Sequence, residues 1–173
     1  MRVLFASTQG AGHFNPLMPF IGAALRQGHE VLVAGPSALA PTVEKTGYAF
    51  WECADPPEEE IRPVWDRTPT VSAEEANVLV VREIFARFDA RAMLPRLREA
   101  FEEWKPDLVL RDPNEYSSAV AADLYGVPHV RVGINLAAVE EGALDIAAET
   151  VDDLRTSTGL PGDREGERIR QSP

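Results

Sequence analysis

The chain has 173 residues, 45% of them hydrophobic, with 28 acidic against 17 basic side chains and a net charge of −11. That length suits one domain with a full core rather than two, and the acidic balance disfavours nucleic acid, whose phosphates such a surface repels. No apolar run reaches the length of a membrane span and no basic-then-apolar leader opens the chain, while Cys53, its single cysteine, excludes an internal disulfide or a metal-binding cysteine pair; a reducing cytoplasm is the expected compartment.

In chain order, Arg2 to Ala6 is a short run of strand formers and Ser7 to Gly12 a small, flexible loop. Leu17, Phe20, Ile21, Ala24 and Leu25 then recur at helical spacing up to Gly28. Asn15 is placed to cap this helix and Pro16 to fill its first position, where a missing N–H costs nothing. Glu30 to Ala34 reads as a second, buried strand. A short helix over Ser37 to Lys45, interrupted or begun at Pro41, and a third strand, Tyr48 to Trp51, follow.

Asp55 to Thr70 holds Pro56, Pro57, Pro63 and Pro69 around Glu58, Glu59 and Glu60, which predicts a long irregular loop. Trp65 within it either packs on its own domain or covers a ligand cleft. Ser72 to about Trp104 has helical spacing, opened by a capping box of Ser72 and Glu75. Val78, Val81, Ile84, Phe85 and Phe88 form its apolar face, with a break expected near Pro95. Asp107 to Leu110 is a fourth strand, Ser117 to Tyr125 a helix stopped by Gly126, Pro128 to Val132 a fifth strand, and Ala138 to Ser157 an acidic helix. Residues 1–158 thus form the domain, and 159–173 read as a linker or tail.

Strands that alternate with helices and lack clean polar alternation predict an α/β fold, a Rossmann-like doubly wound parallel sheet with helices on both faces. Ligands of such sheets sit at the carboxyl ends of the strands, where the loops after the first and fourth strands carry His13 and Asp112. A histidine at a helix N-terminus is held toward its neutral form, as a general base requires. A carboxylate on its other ring nitrogen fixes the tautomer and stabilises the imidazolium, as in a hydrolase triad. No serine stands in a nucleophile elbow, so the nucleophile belongs to a substrate. The plainer readings are a hydrogen-bonded structural His13 and an Asp112 that forms a turn or caps a helix. Gly10-x-Gly12 is part of a dinucleotide fingerprint, with Asn15 in place of the third glycine, and no phosphate-gripping loop is present. His29 and His129 lack acidic or cysteine partners at ligand spacing and read as structural.

The run from Met1 to Pro36, with its Gly12-His13-x-x-Pro16 turn and its Arg26-x-x-Gly28-His29-Glu30-Val31 entry to the second strand, resembles the N-terminus of family 1 GT-B glycosyltransferases. The likeness is to the bacterial macrolide and antibiotic type. Lys105 to Asp112 with Tyr125 to His129, and Gly159-Leu160-Pro161 at the exit toward a linker, resemble the same family. The resemblance implies that His13 deprotonates the acceptor hydroxyl and Asp112 orients it. It implies a hydrophobic hydroxylated acceptor held near Phe14, Asn15, Trp65, Phe85 and Asn135, single-displacement inverting transfer, and no metal. The co-substrate would be a UDP- or TDP-sugar, bound by a second domain that has no counterpart in these residues. The chain is then an excised N-terminal half, or one that works with a donor-binding partner chain, with little activity alone. The competing expectations are a non-catalytic Rossmann-like module that binds a nucleotide or small molecule, and a scaffold with a structural His13.

Overall fold

In the computed structural model of the chain, which describes residues 1–170, the apolar runs become strands β1 (Arg2–Ala6), β2 (Glu30–Pro36), β3 (Phe50–Cys53), β4 (Leu108–Arg111) and β5 (His129–Arg131). All pair in parallel, in the order β3-β2-β1-β4-β5. Val3 pairs with Val31 on one side and with Leu108 on the other. Successive side chains of β1 point to opposite faces, and both faces are apolar and covered. Val3 and Phe5 join Phe14, Leu17, Ile21, Leu39 and Val43 in one core. Leu4 joins Met93, Leu97, Phe101, Val120 and Leu144 in the other. That two-sided burial explains why the strands lack polar alternation.

The helices are α1 (Ala11–Phe14), α2 (Met18–Arg26), α3 (Ala40–Glu44), α4 (Glu58–Arg67), α5 (Ala73–Leu79), α6 (Ala90–Glu103), α7 (Ser117–Tyr125), α8 (Ala137–Ser157) and α9 (Glu167–Arg170). A wide π-helical segment, Val80–Asp89, runs from α5 into α6. The capping box forms: the Glu75 N–H donates to the Ser72 hydroxyl and the Ser72 N–H to the Glu75 carboxylate. Pro95 lies inside α6 and does not break it.

Three further expectations need correction. The first helical turn begins at Ala11, because the Gly10 carbonyl accepts from the N–H groups of both His13 and Phe14; Asn15 opens a tighter turn, Asn15–Leu17, instead of capping a helix. The proline-rich stretch is helical over Glu58–Arg67. Pro57 precedes that helix in extended conformation, three glutamates sit in its first turn, and Arg62 pairs with Glu58 one turn back, an arrangement that suits the helix dipole. Finally, residues 159–170, expected as linker or tail, pack on the domain. Ile169 is 1% exposed within the larger core, and the Asp163 N–H donates to Asp152. Positions 171–173 of that segment lie outside the described residues.

Among the described residues no helix is long and apolar enough to cross a membrane.

Candidate functional site

Strand order reverses at β1: the chain moves to one side through β2 and β3, then returns to the other side at β4. The loops leaving β1 and β4 at their carboxyl ends therefore stand next to each other, which is where doubly wound sheets open a crevice. The first loop runs from Ser7 to Gly10 and turns into α1 through Gly10, whose φ of +106° is glycine territory. His13 stands in the single turn of α1. The second loop starts with Asp112, whose N–H donates to the Ala6 carbonyl and so locks the two loops together.

Here His13 Nδ1 lies 3.0 Å from Asp112 Oδ1. A carboxylate only accepts, so Nδ1 carries the proton and the lone pair of the neutral ring sits on Nε2. Asp112 is fully buried and its remaining valences are used: Oδ2 accepts from the Thr8 N–H at 2.9 Å and the Thr8 hydroxyl at 3.2 Å, and Oδ1 from the Asn114 N–H at 2.9 Å. The carboxylate is thus held in one orientation by backbone donors. Burial pulls the His13 imidazole toward its neutral form. The hydrogen bond and charge of Asp112, with the charge of Asp89, outweigh it and raise the pKa above the ordinary 6.5. The net direction is therefore opposite to the one expected from the helix end alone.

His13 opens on a cavity of about 290 Å³ walled by Ile61, Trp65, Ile84, Phe85 and Asp89, with Asp55 at its edge. The Phe85 ring meets the imidazole edge-on, with centroids 5.3 Å apart. A hollow of about 320 Å³ around Gly126 to His129 lies at the opposite, entering end of β5, away from this chemistry.

Of the residues singled out from sequence, His13, Asp112, Trp65 and Phe85 come together here. Three do not. Phe14 is fully buried in the core beneath α1 and offers no surface to a ligand. Asn15 is exposed but lies off the cavity wall. Asn135 sits beyond β5, where its N–H caps the Glu140 carboxylate at 2.9 Å and its side chain accepts from the Leu136 N–H. Two residues went unnoticed in the sequence. Thr8, the second residue after β1, positions Asp112. Asp89 is a charged residue four positions after Phe85 on an otherwise apolar helix face, and that misplaced charge was the available signal.

A parallel sheet whose switch point carries a histidine–aspartate pair at the mouth of an apolar cavity is one half of a GT-B glycosyltransferase fold, with helices on both faces. Residues 23–150, a span that includes Asp112, match the family described as Erythromycin biosynthesis protein CIII-like, N-terminal domain, and the chain belongs to that family. It is 35% identical over 163 residues to the L-demethylnoviosyl transferase of Streptomyces niveus, across 92% of this chain and 41% of that protein. It is 32% identical over 154 residues to the 10-deoxymethynolide desosaminyltransferase of Streptomyces venezuelae, across 76% of this chain and 35% of that one. Among solved structures, the glycosyltransferase SsfS6 of Streptomyces sp. SF2575, complexed with thymidine diphosphate, matches with a TM-score of 0.73 and 27% identity over 94% of this chain and 46% of its own. The spinosyn rhamnosyltransferase SpnG, complexed with spinosyn aglycone, matches with a TM-score of 0.71 and 26% identity over 94% and 42%. The chain spans less than half the length of these relatives.

Proposed function

We propose that this chain is the acceptor-binding half of an inverting glycosyltransferase that moves a sugar from a nucleotide-sugar to a hydroxyl of a hydrophobic natural product. The observation that carries this reading is the buried Asp112 carboxylate 3.0 Å from His13 Nδ1, beside an apolar cavity. An acceptor hydroxyl in that cavity gives its proton to His13 Nε2 as its oxygen attacks the anomeric carbon. The bond to the nucleoside diphosphate breaks on the opposite side of that carbon, so the configuration inverts. Asp112 stabilises the imidazolium formed. The donor is a UDP- or TDP-sugar held by a C-terminal domain or a partner chain. Relatives more than twice the matched length, and similar glycosyltransferases complexed with thymidine diphosphate, support that division of labour. The chain alone then binds acceptors and turns over little.

The test is twofold. His13→Ala in the two-domain enzyme removes activity by about 10²- to 10⁴-fold, the usual worth of a general base, and leaves fold and acceptor binding intact; unchanged turnover sinks the mechanism. In a thermal-shift panel on this chain, polyketide-, macrolide- or flavonoid-like alcohols raise the melting temperature and nucleotides do not. A ligand at a hundredfold excess over its Kd adds about 2.7 kcal/mol. Shifts with nucleotides alone would make the chain a nucleotide-binding module instead.

A further inference from the structure

Asp89 ends the π-helical segment with its carboxylate on the wall of the His13 cavity. It is 8% exposed, and no hydrogen bond to its carboxylate is found among the described residues. Its buried neighbours are different. Asp112 is bound by Thr8, Asn114 and His13, and Glu115 by Ser117 and Ser118. Farther off, Glu140 accepts from the N–H groups of Ile134 and Asn135, and Asp152 from that of Asp163. Among the described residues no arginine or lysine pairs with Asp89: Arg87 pairs with Glu83 and Arg91 with Glu60, both on the outer surface, and the one cation that offsets its charge is His13 when protonated. A carboxylate largely withdrawn from water without a hydrogen-bond partner in the protein is costly to the fold, and the open side of this one is the cavity it shares with Ile61, Trp65, Ile84 and Phe85.

We infer that Asp89 is the acceptor-selecting residue of this cavity, taking the hydrogen bond of a second hydroxyl on the acceptor while His13 takes the proton of the reacting one. This inference rests on the cavity being the acceptor site. The acceptor is then an apolar molecule with two spaced hydroxyl groups, and an acidic acceptor is repelled by Asp55, Asp89 and Asp112 together. Burial, and the charges of Asp55, Asp112 and Glu115, push the Asp89 carboxyl up to about 7. Either protonation state suits a hydroxyl, since the carboxylate accepts from it and the acid donates to it.

The experiment titrates the 173-residue chain with naphthol and with the isomeric dihydroxynaphthalenes, which share one apolar body. It follows the Trp65 indole signal by NMR, assigned with Trp65→Phe. At least one dihydroxy isomer is expected to bind about tenfold more tightly than naphthol, roughly the worth of one well-made buried hydrogen bond. In Asp89→Leu that preference falls to within about twofold while naphthol binding persists. Asp89→Asn, which keeps shape and hydrogen-bonding capacity, retains part or all of the preference, and Asp89→Ala serves as the test if the leucine variant does not fold. An undiminished preference in Asp89→Leu, or in Asp89→Ala where the leucine variant is lost, overturns the role of Asp89. So does naphthol binding to the wild type with no gain from a second hydroxyl, and in that case the acceptor-site reading stands. Trp65 and His13 signals that none of the probes moves would overturn both.

Discussion

At His13 two opposing effects meet on one ring. Burial favours the neutral form, while the Asp112 carboxylate and the charge of Asp89 favour the imidazolium and prevail. If His13 is the base proposed above, a pKa raised in this way makes it pull harder on the acceptor proton but leaves it charged over more of the pH range. The acid limb of turnover in the two-domain enzyme therefore lies above the ordinary histidine value of 6.5. In Asp112→Asn the lost charge lets burial dominate, so the limb moves to lower pH while the maximal rate drops. A limb that stays in place would remove Asp112 from the proton's path. The same sign governs stability. Because the folded pKa is raised, the pair's contribution is fully present below the unfolded value and is lost as pH rises through the folded one.

Among the elements, β2 keeps the site in register through its backbone. The Ser7 N–H donates to the Ala34 carbonyl at 3.1 Å, so the loop bearing Thr8 is anchored on β2. At the next position, Gly35, a Cβ would fall 2.6 Å from Leu39 Cδ2 and 3.0 Å from the Ser7 carbonyl oxygen. Leu39 is a core side chain with nowhere to go. Gly35→Ala is expected to cost about 1–3 kcal/mol as an overpacked contact, and to lower turnover by displacing Thr8 from Asp112. Thermal melts and kinetics on the variant check this; an unaltered melting temperature would mean that the strand yields freely. This close approach was not legible in the sequence, where the second strand reads as ending at Ala34, one residue before Gly35. The strands were legible, because two-sided burial writes itself as continuous apolar runs, and so was the Ser72–Glu75 cap, which is local. The π-helical segment was not, since its one extra residue per turn leaves Val81, Ile84, Phe85 and Phe88 looking like an ordinary helical face. The His13–Asp112 pair could be anticipated because topology alone brings two loop ends together. Thr8 depends on side-chain direction, which periodicity does not fix, and the charge of Asp89 on an apolar helix face marks the residue without saying which cavity it lines.

For the whole molecule, the segment after α8 decides where the folded unit stops. Arg111, the last residue of β4, is completely buried. Its Nη1 donates to the carbonyls of Asp112, Pro113 and Glu115, the last at 2.9 Å, and its Nη2 to the Ile169 carbonyl at 2.6 Å. Burial lowers the Arg111 pKa, with the Glu115 charge opposing. One guanidinium therefore ties the loop that carries Asp112 to Ile169 of α9, eleven residues beyond the end of the expected domain. Ending the chain at residue 158 would strip Nη2 of its acceptor and empty the space filled by Ile169, leaving one arm of a buried guanidinium without a partner beside a cavity. Filling loss alone, as in Ile169→Ala, costs about 2–5 kcal/mol, and a buried donor left without its partner adds about 1–3 kcal/mol. In urea melts Ile169→Ala should lower the midpoint clearly, and truncation at 158 should lower it further and loosen the Asp112 loop, seen as faster amide exchange at Asn114. If the truncated chain melts like the parent and keeps Asn114 protected, α9 is an appendage and the Arg111 contact carries no stability.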